Sequence, residues 1–160
     1  MLNYSVKALR VDSHGSVATA KAAEITLDTD VQGREDAFNP AELLLAAVAA
    51  CMIKGIERVT PMLEFHLRGV EVSLHAVRQD SPPKIVSIDY EILVDTDEDD
   101  HRLDLLHTNV RKFGTISNTV AEATELNGTL RRKSRGDRDD RGRRQAGGAP
   151  DHMPALLKDD

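Results

Sequence analysis

Apolar positions along the chain repeat with different periods in different segments, and those periods define the expected elements. Residues 69–79 and 84–95 alternate with period two, through Val70, Val72 and Leu74 in one and Ile88, Tyr90 and Ile92 in the other. That pattern marks half-buried strands. With Asp80-Ser81-Pro82-Pro83 as the turn between them, the pair predicts a hairpin with one wet face. Upstream, residues 3–11 alternate imperfectly, Asp12 to Gly15 reads as a turn, and residues 16–28 resume with β-branched and small side chains, most clearly from Glu24. An N-terminal antiparallel meander follows from this. Residues 30–37 form a polar loop.

Between meander and hairpin the period changes. Asn39 is a good N-cap, Pro40 suits the first helical position, and Glu42 stands at N3, where it can reach back to the cap. Leu43 to Ile53 then carries no charge. The stretch is too short to span a bilayer and apolar all round, so it predicts a helix buried in a core. Pro61 predicts its end near Val59, and residues 62–67 serve as a connector. After the hairpin, the acidic run 97–100 favours a helix start. Leu103, Leu106 and Val110 follow at helical spacing, and Gly114 is a candidate left-handed stop. A short helix from Thr115 and a last strand over 125–130 complete the pattern.

Composition adds limits. The chain has 160 residues, enough for one domain with a proper core. Aromatic residues are only 3%, without tryptophan, so that core must come from Leu, Val, Ile and Ala. Residues 1–130 hold twelve basic and twenty-one acidic side chains, whereas 131–160 hold nine and six. An acidic body argues against nucleic-acid binding. The segment 131–160, rich in Arg, Asp and Gly, has too little apolar surface to offset ordering entropy and is expected to be a disordered charged tail after a domain of residues 1–130. No secretory h-region or membrane-length segment is present, and the single cysteine fits a reducing cytoplasm.

That cysteine, Cys51, is the one candidate nucleophile. It is either a catalytic thiol or a small hydrophobe filling a core helix. Only the thiolate attacks, and a thiol with a pKa of about 8.5 is roughly 3% ionised at pH 7. It sits some three turns from the helix N-terminus, beyond useful reach of the dipole, so an external cation is required. The six histidines show no metal-ligand spacing, and there is no phosphate loop or nucleophile elbow. Neither a metal nor a cofactor is expected.

Three segments together resemble the OsmC/Ohr family of thiol-dependent peroxidases. The run from Asn39 through Ala47 is similar to the family's N-P-E-E-L-L-x-A-A, with Cys51 twelve residues after the asparagine. Arg68 to Ser73 resembles the start of its hairpin. Lys112 to Val120 is similar to K-Y-C-P-I-S-N-T-L. The resemblance covers roughly residues 4–130. It implies an α+β fold, with curved antiparallel sheets around a central buried helix, built as an intertwined homodimer. It implies further that the first cysteine attacks a hydroperoxide, that a second resolves it, and that an arginine and a glutamate hold the thiolate. Cys51 matches the first cysteine. Gly114 occupies the place of the second, and Ala41 that of the glutamate. The arginine corresponds either to the Ser13-His14 turn or, as the better match, to Arg34. Two functions follow. One is a one-cysteine peroxidase served by an external thiol; the other is a non-catalytic dimer whose interface pocket takes a small apolar ligand. No membrane or nucleic-acid partner is expected.

Overall fold

The computed structural model describes residues 1–134. Its longest helix, α1 (Pro40–Met62), starts as its first residues dictate. The Asn39 side chain accepts hydrogen bonds from the Ala41 and Glu42 amides at 2.9 and 3.0 Å, and Glu42 accepts from the Asn39 amide at 2.9 Å. The reciprocal pair satisfies donors that the first turn leaves without intrahelical partners.

The C-terminus departs from expectation, because α1 continues through Pro61. A proline in the last turn removes only one amide, and the end is secured by other bonds. Glu64 takes a left-handed φ of 48°. The Phe65 amide donates to the Thr60 carbonyl at 2.9 Å, and the Glu64 amide to that of Pro61 at 3.3 Å. This is the double closure of a Schellman motif, built here without glycine.

Burial of α1 is also more one-sided than the uncharged run predicts. Val48, Met52, Ile56 and Val59 are buried at spacings of four, four and three. They pack against Tyr90, Ile92 and Val94 and against Leu103, Leu106 and Val110. Burying side chains of this size is worth about 1.5–3 kcal/mol each. Leu44 and Ile53, at the edges of that face, remain 36% exposed. The helix is therefore amphipathic in its packing although not in its charge.

The partners of that buried face are the hairpin β4 (Gly69–Gln79) and β5 (Lys84–Asp95), and α2 (Asp100–Phe113). The two strands pair antiparallel from Gly69↔Asp95 to Gln79↔Lys84, with one register shift at Val77/Arg78. Asp99 caps α2 through the Arg102 amide at 2.9 Å. Gly114 ends α2 with a φ of −78° rather than a left-handed one, and serves at once as the cap residue of α3 (Thr115–Ala121). It is needed for closeness instead. A Cβ there would lie 3.1 Å from the Ser117 side chain and 3.3 Å from the Val110 carbonyl.

The helices α2 and α3 carry the chain back, so β6 (Glu125–Arg132) runs parallel to β5. The second sheet, ordered β4-β5-β6, is therefore mixed, which corrects the purely antiparallel expectation. A helical crossover of this length is what a parallel neighbour requires. The strand extends past residue 130. Arg131 pairs with Glu91 at 2.7 Å, and the buried Lys133 reaches Glu71 at 2.8 Å. The remainder of the expected tail, 135–160, lies outside the described residues.

The N-terminal meander forms as expected from β1 (Lys7–Arg10), β2 (Gly15–Ala20) and β3 (Ala23–Asp28), in that order. It is tied to the start of α1 by the Asp28 amide, which donates to the Phe38 carbonyl at 2.9 Å. Among the described residues, no helix and no strand of the second sheet packs extensively on it. Leu9, Val11 and Ile25 stay exposed. No described helix is long and apolar enough to cross a membrane.

Candidate functional site

Cys51 is free and half-buried, and it lines a cavity of about 400 Å³. One wall is a stripe of α1: Ala47, Ala50, Cys51, Lys54 and Arg58. These positions recur at helical spacing beside the core-facing row, so the same turns that bury Met52 present the thiol. Phe113, Thr115 and Ile116 from the α2–α3 junction form the facing wall, and Tyr4 closes one side.

Two cations share this cavity with the sulfur. Lys54 is three residues along from Cys51, where side chains on a helix are neighbours with Cβ atoms about 5–6 Å apart. Arg58 is one turn further, and helical side chains lean back toward the N-terminus, here toward Cys51. Neither has an ion-pair partner among the described residues. The cavity thus holds a thiol and two cations between largely apolar walls.

Arg34 is placed elsewhere. It lies in the loop after β3 and lines a separate cleft together with Phe38 and Glu42. Its Nε and one terminal nitrogen donate to Asp36 at 2.6 and 2.7 Å. Its guanidinium packs over Gly15, where a Cβ would come within 2.6 Å. Within one chain the structure thus brings Arg34 together with Glu42, and neither with Cys51. At the β1–β2 turn, His14 meets Asp30 at 2.6 Å, and the carboxylate raises the His14 pKa above its usual value.

The family model described as OsmC-like protein matches residues 33–128. The chain belongs to the OsmC-like family. No curated protein matches it significantly. Its fold is similar to that of an OsmC-like protein from Mycoplasma pneumoniae, at 17% identity and a TM-score of 0.75 over 83% of this chain and 99% of the other. It is also similar to an organic hydroperoxide resistance protein OsmC from Legionella pneumophila, at 17% identity and a TM-score of 0.66 over 81% and 97%. A third likeness is to the organic hydroperoxide resistance protein OhrB of Bacillus subtilis, again 17% identical, with a TM-score of 0.62 over 81% and 98%.

Within the OsmC-like frame, Gly114 stands where the family resemblance places a second cysteine. It is flanked by Phe113 and Thr115, both walls of the Cys51 cavity. One thiol is therefore present, because Cys51 is the chain's only cysteine. Glu42 is committed to the helix cap. The two α1 cations were not picked out from the sequence, although their steps of three and seven from Cys51 carry the signal.

Proposed function

We propose that this OsmC-like protein reduces organic hydroperoxides through Cys51 by a one-cysteine cycle. The observation that supports this reading is the thiol's place in a cavity with Lys54 and Arg58. In the first step the Cys51 thiolate attacks the terminal oxygen of the hydroperoxide. The S–O bond forms, the O–O bond breaks, and the alkoxide leaves as alcohol after taking a proton. Cys51 becomes a sulfenic acid, oxidised by two electrons. An external thiol attacks that sulfur and expels water, and a second thiol releases Cys51 from the mixed disulfide. A reducing cytoplasm supplies such thiols.

We further propose that the protein works as an intertwined homodimer. The three-stranded β1–β3 sheet leaves apolar side chains exposed and has little of its own chain to pack on, as does the outer face of α1. In the dimer, Arg34 of one chain is the group to be delivered to the other's Cys51 cavity. The apolar wall of Tyr4, Phe113 and Ile116 also favours a second reading, a non-catalytic pocket for a small apolar ligand.

Consumption of cumene hydroperoxide by the full chain with dithiothreitol separates the two. Cys51→Ser is expected to abolish it. A wild-type rate no higher than that of Cys51→Ser would falsify the peroxidase reading. Loss of activity in Lys54→Met or Arg58→Met, with the protein still folded, assigns the activating charge to α1. The same loss confined to Arg34→Ala assigns it across the dimer, and light scattering at the mass of one chain removes that possibility.

A further inference from the structure

A second cavity, of about 550 Å³, opens on the other side of the α1–α2 contact. Met52, the neighbour of Cys51 in sequence, faces this one. The two cavities are separated where Gly55 meets Val110, a contact so close that a Cβ at 55 would touch the Val110 side chain at 3.4 Å. The volume falls within the range of roughly 300–1,000 Å³ usual for small-molecule sites.

Its lining divides sharply by chemistry. The floor is core: Met52, Ile92 and Leu126. On one wall Tyr90 from β5 and His107 from α2 share a hydrogen bond of 2.8 Å between hydroxyl and Nε2. Their rings meet edge to face at 5.8 Å. The pair is fixed from below by Gly128, because any Cβ at that position would collide with the Tyr90 ring at 2.5 Å. His107 Nδ1 keeps no partner among the described residues.

The charged side chains that line the cavity, Arg111 and Lys112, are both cationic, with Asp104 acting on His107 from outside the lining. Arg111, one turn beyond His107, lines the cavity and is close enough for its charge to act on both members of the pair. It has no ion-pair partner among the described residues. None of the residues lining the cavity is acidic. Burial, with Arg111 adding to it, lowers the His107 pKa, so the pair itself is uncharged near neutral pH. An apolar floor, a neutral polar wall and an uncompensated guanidinium at the rim complement a molecule with an apolar body and one negative end.

We propose that this cavity binds a small monocarboxylate with an apolar tail, its carboxylate on Arg111 and its tail on Met52, Ile92 and Leu126. The site is independent of the Cys51 chemistry, since no residue is shared between the two cavities.

The test uses octanoate as the probe, with octylamine as its cationic counterpart, and the full-length protein followed by calorimetry and amide NMR. Saturable one-to-one binding of octanoate is expected, with shifts around Tyr90, His107 and Arg111, and much weaker binding of octylamine. Arg111→Gln is expected to weaken octanoate about tenfold or more, the usual scale for losing a charge-assisted hydrogen bond. Ala121→Trp fills the exposed side of the same cavity and is expected to abolish binding while the protein stays folded. Cys51→Ser leaves it unchanged. Equal binding of octylamine, octanoate binding that survives Ala121→Trp, shifts confined to the Cys51 cavity, or no binding by folded wild type would each overturn the proposal.

Discussion

Gly128→Ala is the substitution whose consequence the geometry fixes most tightly. Gly128 pairs with Tyr90 in the parallel β5–β6 ladder. An added Cβ would stand 2.2 Å from the Tyr90 carbonyl oxygen and 2.5 Å from two ring carbons of the same residue. A ring can rotate, but the carbonyl belongs to the central strand and cannot withdraw without disrupting the sheet. Overpacking against a core usually costs about 1–3 kcal/mol, and a backbone obstacle argues for the upper part of that range. Replacing glycine by alanine returns roughly 0.5–1 kcal/mol through the unfolded chain. The net loss is about 2 kcal/mol. For a domain of this size each kcal/mol moves the melting temperature by about 3–5 °C, so a fall of about 6–10 °C is expected. Circular dichroism melts and urea titrations measure it, with exposed Asn127→Ala and Thr129→Ala as controls near wild type. Adding Tyr90→Leu to Gly128→Ala removes the ring overlap but leaves the carbonyl overlap, so the two costs are expected to be sub-additive. A Gly128→Ala protein that melts at or above the wild-type temperature refutes the reasoning, since it would mean the strand has room for the added methyl.

The other expectations concern the helix that carries the thiol and the histidines. Asn39→Ala removes the acceptor for two α1 amides and is expected to cost about 1 kcal/mol, with Asn39→Asp close to neutral; equal melting temperatures for Asn39→Ala and wild type would sink the cap argument. His14 and His107 should titrate on opposite sides of the usual value, His14 raised by its hydrogen bond to Asp30 and His107 lowered by burial. His14 therefore contributes stability that is present below pH about 6.5 and lost as pH rises through its folded pKa, whereas His107 costs stability as pH falls below about 6.5. Histidine ring NMR across pH 5–8 measures both, and coincident midpoints would contradict the assignment.

The parts of the fold that were legible are those determined locally. Asn39, Pro40 and Glu42 announce α1 because a capping box needs only four consecutive residues. The β4–β5 hairpin was legible because alternation and the Asp80–Pro83 turn lie in one stretch. What escaped depends on packing. Pro61 normally ends a helix, yet the buried Val59 and Thr60 and the closing bonds from Glu64 and Phe65 hold the last turn in place. The parallel placement of β6 follows from the length of the α2–α3 crossover, and nothing in residues 125–132 states a strand direction. An uncharged run from Leu43 to Ile53 looks buried on all sides, but one chain supplies partners for only one side.

The site follows the same division. Cys51 was legible from its step after Asn39, and Lys54 and Arg58, though passed over, lay at helical spacing from it. Tyr90 and His107 were not, because they are seventeen residues apart and meet only when α2 lies across β5. Arg34 could be matched to a motif position from the sequence, but its surroundings are tertiary. Its Asp36 partner satisfies the guanidinium fork at two nitrogens, so service to a thiolate requires exchanging one carboxylate for another anion. Such a bidentate pair is among the stronger hydrogen-bonded ion pairs, but half of this one faces solvent, where its net worth is small. Lys54 and Arg58 have no such bond to give up. The buried half of α1 sets the fold, and the row beside it has the thiol and the charges. Within one chain, the charges that share a cavity with the thiol are therefore those of α1 and not the motif arginine.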